Sequence, residues 1–119
     1  MIEVTISGPR GGRIKSEDEH LIYNYVVEAC RQLKIVDAEI EVLLYNKFPK
    51  DYDYAIGYCY GDKESVTIEL TKEDDDMYQT LAHEMVHCKQ FLEGRYPSER
   101  EAKKLEFGLH EKITEGIGY

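Results

Sequence analysis

The chain predicts an α+β fold: a small mixed sheet of about four strands packed against an N-terminal helix and a His-Glu-x-x-His helix, followed by a C-terminal helix. Three observations predict it. First, 119 residues with 42% hydrophobic and 33% charged content have globular composition and room for one modest core, hence a single domain spanning 1–119. Second, four segments alternate apolar and polar residues with period two. Third, three longer segments carry apolar residues at helical spacing, without repeats or low-complexity tracts between them.

Ile2, Val4 and Ile6 alternate as a first strand, and Gly8-Pro9-Arg10-Gly11-Gly12 reads as a flexible loop. In residues 16–34, Leu21, Ile22, Tyr25, Val26, Ala29 and Leu33 fall at helical intervals, and Ser16-Glu17-Asp18-Glu19 has the form of a capping box. Three strands follow. Ile40, Val42 and Leu44 alternate, residues 54–60 form a tyrosine-rich strand, and Val66, Ile68 and Leu70 come after a hairpin signal at Gly61-Asp62. From Thr71 the pattern turns helical, with Thr71 as N-cap, Glu73-Asp74-Asp75-Asp76 suited to the positive helix end, and Gly94 as the stop. Leu81, Met85, Cys88 and Leu92 line one face of this helix, and His83, His87 and Gln90 line its neighbour. A last helix starts at Ser98.

The segment His83-Glu84-Met85-Val86-His87 carries the chemistry. Positions four apart on a helix share a face, so both histidines can address one metal ion with Glu84 beside them. Neutral imidazoles hold zinc, the ion lowers the pKa of a bound water, and Glu84 can take the proton as that water attacks a carbonyl. Such a five-residue pattern also arises by accident on ordinary amphipathic helices. Here the helical context and the separate polar stripe favour the metal site.

A catalytic zinc takes three protein ligands and leaves a fourth position to water. A third histidine further along the same helix is excluded, because Gln90 and Glu93 stand where one zinc peptidase group has Gly and His. The Ser98 helix offers Glu99, Glu101 and His110. His110 lies nine residues beyond Glu101, about 13 Å along a straight helix, so the two cannot share an ion. Glu99 and Glu101 face apart. Ser98-Glu99-Arg100-Glu101 is also a capping-box pattern, and that role is hard to combine with ligation in one carboxylate.

With Gln90 three residues after His87 and Pro97-Ser98-Glu99-Arg100-Glu101-Ala102 following, residues 65–105 resemble the small gluzincin-type zinc metallopeptidases, a minimal thermolysin-like catalytic domain that includes compact phage-encoded and archaeal members. The resemblance implies a zincin-like fold, a Zn2+ ion held by His83, His87 and Glu101, and Glu84 as general base. Glu101-Ala102 matches the place where that group has its ligand glutamate, with a small neighbour that lets two helices approach. Larger gluzincins carry an Asp four residues after the ligand glutamate to orient a zinc-bound histidine; Leu105 stands there, so such support must come from elsewhere. They also carry a C-terminal subdomain with transition-state donors, whereas this chain ends at Tyr119, which leaves Tyr96 and His110, with Arg95 and Arg100, as groups for a developing oxyanion. In peptidases of this kind an edge strand pairs with the extended substrate, and residues 65–70 are expected to lead into that arrangement.

The ten tyrosines raise the question of base stacking, but 24 acidic against 15 basic residues give a net charge of −9, which argues against nucleic acid as a partner. Tyr52, Tyr54, Tyr58 and Tyr60 are expected to pack on a half-buried sheet. Cys30, Cys59 and Cys88 are widely spaced and form no C-x-x-C pair, so free thiols in a reducing cytoplasm are expected. No signal sequence or membrane-length apolar run is present, and no membrane partner is expected. The expected activity is zinc-dependent hydrolysis of peptide or protein substrates. Two alternatives are a non-catalytic metal-binding or regulatory module on the same scaffold and a SprT-like protease, the latter calling for a basic or zinc-ribbon appendage that the chain lacks.

Overall fold

The computed structural model describes residues 1–52 and 56–118. In chain order these form β1 (Ile2–Ser7), α1 (Ser16–Leu33), β2 (Ala38–Tyr45), β3 (Gly57–Gly61), β4 (Ser65–Thr71), α2 (Met77–Leu92) and α3 (Glu99–Gly116), with single 3-10 turns at Pro9–Gly11 and Lys50–Tyr52. The α+β class with a four-stranded mixed sheet and three helices is as expected. No helix among the described residues is long and apolar enough to cross a membrane.

The strands lie in the order β1-β2-β4-β3, the first three parallel and β3 antiparallel to β4 at the edge. The register aligns Ile6 with Val42, Val42 with Ile68, and Leu44 with Leu70, so the alternating apolar residues form one continuous face. Helices α1 and α2 cover that face, and α3 packs across both. Ile22, Val26 and Ala29 of α1, Leu81, Ala82 and Met85 of α2, and Ala102 and Ile113 of α3 are sealed from solvent with Val42, Ile68 and Leu70 of the sheet. Burying such side chains stabilises the fold by roughly 1.5–3 kcal/mol per large residue.

The opposite face of the sheet stays polar at one end, with Glu39 and Glu41 exposed. At the other end, Tyr45, Phe48, Tyr52 and Tyr58 stack with ring centroids 4.9–5.9 Å apart. They cover Glu69, which accepts a 2.7 Å hydrogen bond from the Tyr52 hydroxyl. The expected packing role thus holds for Tyr52 and Tyr58, although Tyr52 sits in a 3-10 turn. Tyr60 is half-exposed, and Tyr54 lies outside the described residues.

Three local expectations differ. Helix α1 is preceded by Lys15 as N-cap with no side-chain cap, so the Ser16 pattern does not form a box. Thr71 does not cap α2. It ends β4, where the Lys72 N–H continues the ladder by donating to the Tyr45 carbonyl, and its Oγ1 accepts from the Glu73 N–H in a turn. The acids at 73–76 form that turn, and α2 begins only at Met77. Finally, β4 is flanked on both sides by β2 and β3, so residues 65–70 present no free edge, and β3 is the edge strand beside α2. The Gly61-Asp62 signal is realised as a tight β3–β4 connection, with Asp62 Oδ1 accepting from the Glu64 and Ser65 N–H groups.

Candidate metal centre

Helix α2 carries two functional stripes. Leu81, Met85 and Cys88 are fully buried in the core, while His83, Glu84 and His87 line a cleft of about 570 Å3 between β3, α2 and α3. At the helix end, Gly94 adopts φ 71 and its N–H donates to the Phe91 carbonyl, while the Arg95 N–H donates to that of Gln90. Such a conformation costs a glycine little, so the chain can leave the helix sharply and return as α3.

The return is clamped by Gln90, which is wholly buried. Its Oε1 accepts from the Ser98 N–H at 2.9 Å, and its Nε2 donates to the Ser98 carbonyl at 3.2 Å and to Glu101 at 3.1 Å. The Ser98 hydroxyl in turn accepts from the Glu101 N–H as N-cap of α3. Ser98 therefore fulfils half of the expected capping box, and Gln90 replaces the glutamate that would reach back. This places the first turn of α3 directly over His83 and His87.

The residue delivered to the histidines is Glu99. Its Oε1 lies 2.7 Å from His83 Nε2 and its Oε2 lies 3.0 Å from His87 Nε2. One donor atom from each of these three residues falls within 4.8 Å of the others. The outer ring nitrogens are also engaged: His87 Nδ1 is 2.8 Å from Gln90 Oε1, and His83 Nδ1 is 3.5 Å from Glu106 Oε1. Gln90 Oε1 only accepts, so the His87 Nδ1 must carry the proton. A ring with its proton on Nδ1 alone would offer the Nε2 lone pair to an ion bound beside Glu99. Two imidazole nitrogens and a carboxylate converging on one point, with outer partners fixing the rings, are a donor set that could hold a metal ion.

Glu101, expected as third ligand, does not join this group. Arg95 grips its carboxylate through Nη1 at 3.2 Å and Nη2 at 2.9 Å, and this guanidinium, helped by Gln90, holds the carboxyl down at about 2. The reason is angular: two residues along a helix turn a side chain by roughly 200°. Burial of Ala102, Leu109 and Ile113 against α1 and α2 then turns Glu99 toward the histidines and Glu101 toward the loop. Since the folded-state pKa of Glu101 lies below its ordinary 4.5, the ion pair contributes stability above that pH and loses it as pH falls toward 2. Arg95→Gln should therefore lower the melting temperature slightly at neutral pH, as a part-exposed pair allows, with the difference fading below about pH 2. A thermal-unfolding series across pH checks this, and a difference that persists at the acid end would contradict it.

Tyr96 and His110, expected near the reacting group, lie apart from the cleft lining. Tyr96 is 94% exposed. His110 points toward α1, with Nδ1 2.7 Å from the buried Tyr25 hydroxyl. Arg95 is held by Glu93 and Glu101. Instead, Lys103 and Glu106 of α3 reach the cleft. Sequence reasoning missed both, though Glu99, Lys103 and Glu106 recur at i, i+4 and i+7, the spacing of one helix face. Glu106 supplies the histidine support that was not expected at Leu105.

Glu84 is 6% exposed and receives no side-chain hydrogen bond among the described residues. Burial pushes its carboxyl up to about 7; His83 and His87 oppose the rise, and Glu99 and Glu106 reinforce it. A cation among these groups favours the ionised form. The carboxylate fits because Gly57 of β3 has no side chain: a Cβ there would lie 2.7 Å from Thr80 Cγ2 and 3.0 Å from Glu84 Oε2. Thr80 cannot easily yield, since its hydroxyl donates to Asp74 at 2.5 Å. Gly57→Ala should destabilise the protein by about 1–3 kcal/mol and displace Glu84. The check is a melting curve, in which the midpoint falls; an unchanged melting temperature would contradict the packing argument.

The three cysteines are free thiols, with Cys30 and Cys88 buried and Cys59 lining the cleft. Comparison with known proteins returned no family model, no curated protein and no solved structure that matches the chain.

Proposed function

We propose that this chain is a zinc-dependent peptidase of the gluzincin-like H-E-x-x-H type on a reduced zincin-like scaffold, with His83, His87 and Glu99 as the metal ligands and Glu84 as general base. The observation that carries the reading is the convergence of His83 Nε2, His87 Nε2 and the Glu99 carboxylate beside a buried carboxylate that opens on the same cleft. An ion held there supplies Lewis acidity and an acidified water.

The chain's own residues do the remainder. Glu84 accepts a proton from water on its unpaired carboxylate and can return it to the leaving amine. Its dry surroundings and the elevated affinity for a proton suit that exchange near neutrality. The edge strand β3 runs along the cleft through Gly57, Tyr58 and Cys59, and its free backbone groups offer pairing to an extended peptide. Lys103 brings a cation to the cleft, the role assigned from sequence to Tyr96 and His110. The substrate class is therefore an extended peptide or unfolded protein segment.

The experiment is hydrolysis of a quenched-fluorescent peptide library by protein whose zinc content is measured. Cleavage that stops on chelation and returns with one equivalent of zinc supports the reading. One tightly bound zinc with no cleavage of any peptide would replace it by a metal-binding module on the same scaffold.

A further inference from the structure

Beyond the metal centre, a second cavity of about 490 Å3 opens where β1 and β2 end and β4 passes into the α2 turn. It shares no lining residue with the metal cleft. In a chain with 24 acidic and 15 basic residues, the charged side chains lining it are Arg13, Lys15, Lys47 and Lys72, with no acid among them. Lys72 is paired with Asp18 at 2.6 Å. Arg13, Lys15 and Lys47 have no ion pair or side-chain hydrogen bond among the described residues.

Three unpaired cations beside a fourth repel one another and add nothing to the core. Gathered around a concavity with protein walls, they focus a positive potential into it. The segments that bring them together are the Gly-rich β1–α1 connection and the residues after β2, at the carboxyl ends of neighbouring parallel strands, where open sheets bind ligands. Gly8 and Gly12 line the wall in a compact loop, the Gly8 N–H donating to the Gly12 carbonyl and the Gly12 N–H to the Pro9 carbonyl. Ile14 and Tyr45 supply an apolar side. The volume is in the range of small-molecule sites.

We infer that this cavity binds a small organic phosphate, with Arg13, Lys15 and Lys47 on the phosphoryl oxygens and Tyr45 and Ile14 against the organic part. Arginine offers a fork and lysine a compact charge, the usual donors to such oxygens. The site is independent of the peptidase reading.

The test is calorimetric titration of chelator-treated, metal-free protein with phenyl phosphate and with inorganic phosphate, so that no ion at the histidines can recruit the anion. Native protein should bind phenyl phosphate at one site, more tightly than inorganic phosphate, and more weakly as salt rises. The double variant Arg13→Gln/Lys47→Gln should bind at least about tenfold more weakly, as expected for two lost charge-assisted bonds. A control, Lys63→Gln/Lys112→Gln, removes the same charge elsewhere and should bind as the native chain does. Equal weakening in the control, undiminished binding in the cavity variant, no preference for the organic ester, or no saturable binding at physiological salt would each overturn the inference. Matching melting curves establish that the variants are folded.

Discussion

On the proposed metal centre, Glu99→Ala should abolish zinc binding, while Glu101→Ala should retain it. The Glu99 carboxylate touches both histidines at 2.7 and 3.0 Å, so its removal deletes one of three converging donors. Losing an outer partner of a metal ligand already lowers affinity about 10–100-fold; losing the ligand itself should cost on the order of a hundredfold or more. Glu101 instead faces Arg95 and Gln90, and Ser98 still caps the Glu101 N–H after the substitution. Its truncation should change zinc affinity by less than about tenfold and stability by no more than about 1 kcal/mol. Competition titration with a chromogenic chelator measures the affinities, and thermal unfolding measures the stability. The reverse order, with zinc lost from Glu101→Ala and retained by Glu99→Ala, would sink the assignment.

Glu84→Gln is the second large effect. Gln has the same shape, so it fits the space beside Gly57 and leaves the three donors in place. On the proposed function, one equivalent of zinc should still bind, and peptide hydrolysis should fall about 10²–10⁴-fold, the usual contribution of a general base. Stability should move the other way. The folded-state pKa of Glu84 is raised to about 7, so the metal-free native protein carries no penalty at pH 4.5 or below and loses stability as pH rises through about 7. Metal-free Glu84→Gln should melt higher than native at pH 8 and equally at pH 4. Cleavage at the native rate by the variant would remove Glu84 from the reaction, whatever the metal does.

Much of this molecule is legible in local patterns. Alternation at Ile2-Val4-Ile6, Ile40-Val42-Leu44 and Val66-Ile68-Leu70 marks three strands whose apolar residues face one core, because period two in a half-covered sheet follows from the pleat alone. The helical stripes of α1 and α2 likewise bury Ile22, Tyr25 and Val26, and Leu81, Met85 and Cys88. Helix starts are less legible. Thr71 and Ser16 have capping chemistry, but Thr71 is claimed by the β4 ladder and Ser16 already stands inside α1. A competing backbone partner in space overrides a local propensity.

What the chain's sequence determined by itself is the pair His83 and His87 on one helix face with Glu84 next to them, since 3.6 residues per turn brings positions four apart together whatever surrounds them. Packing between distant elements settles which carboxylate meets them, which strand borders the cleft, and that His110 and Tyr96 stand away from it. Those outcomes depend on how α3 is rotated about its axis and where β3 joins the sheet. Both are set by burial of Ala102, Leu109 and Ile113, by the Gln90 clamp on Ser98, and by pairing of β3 with β4, all contacts between residues brought together from different elements.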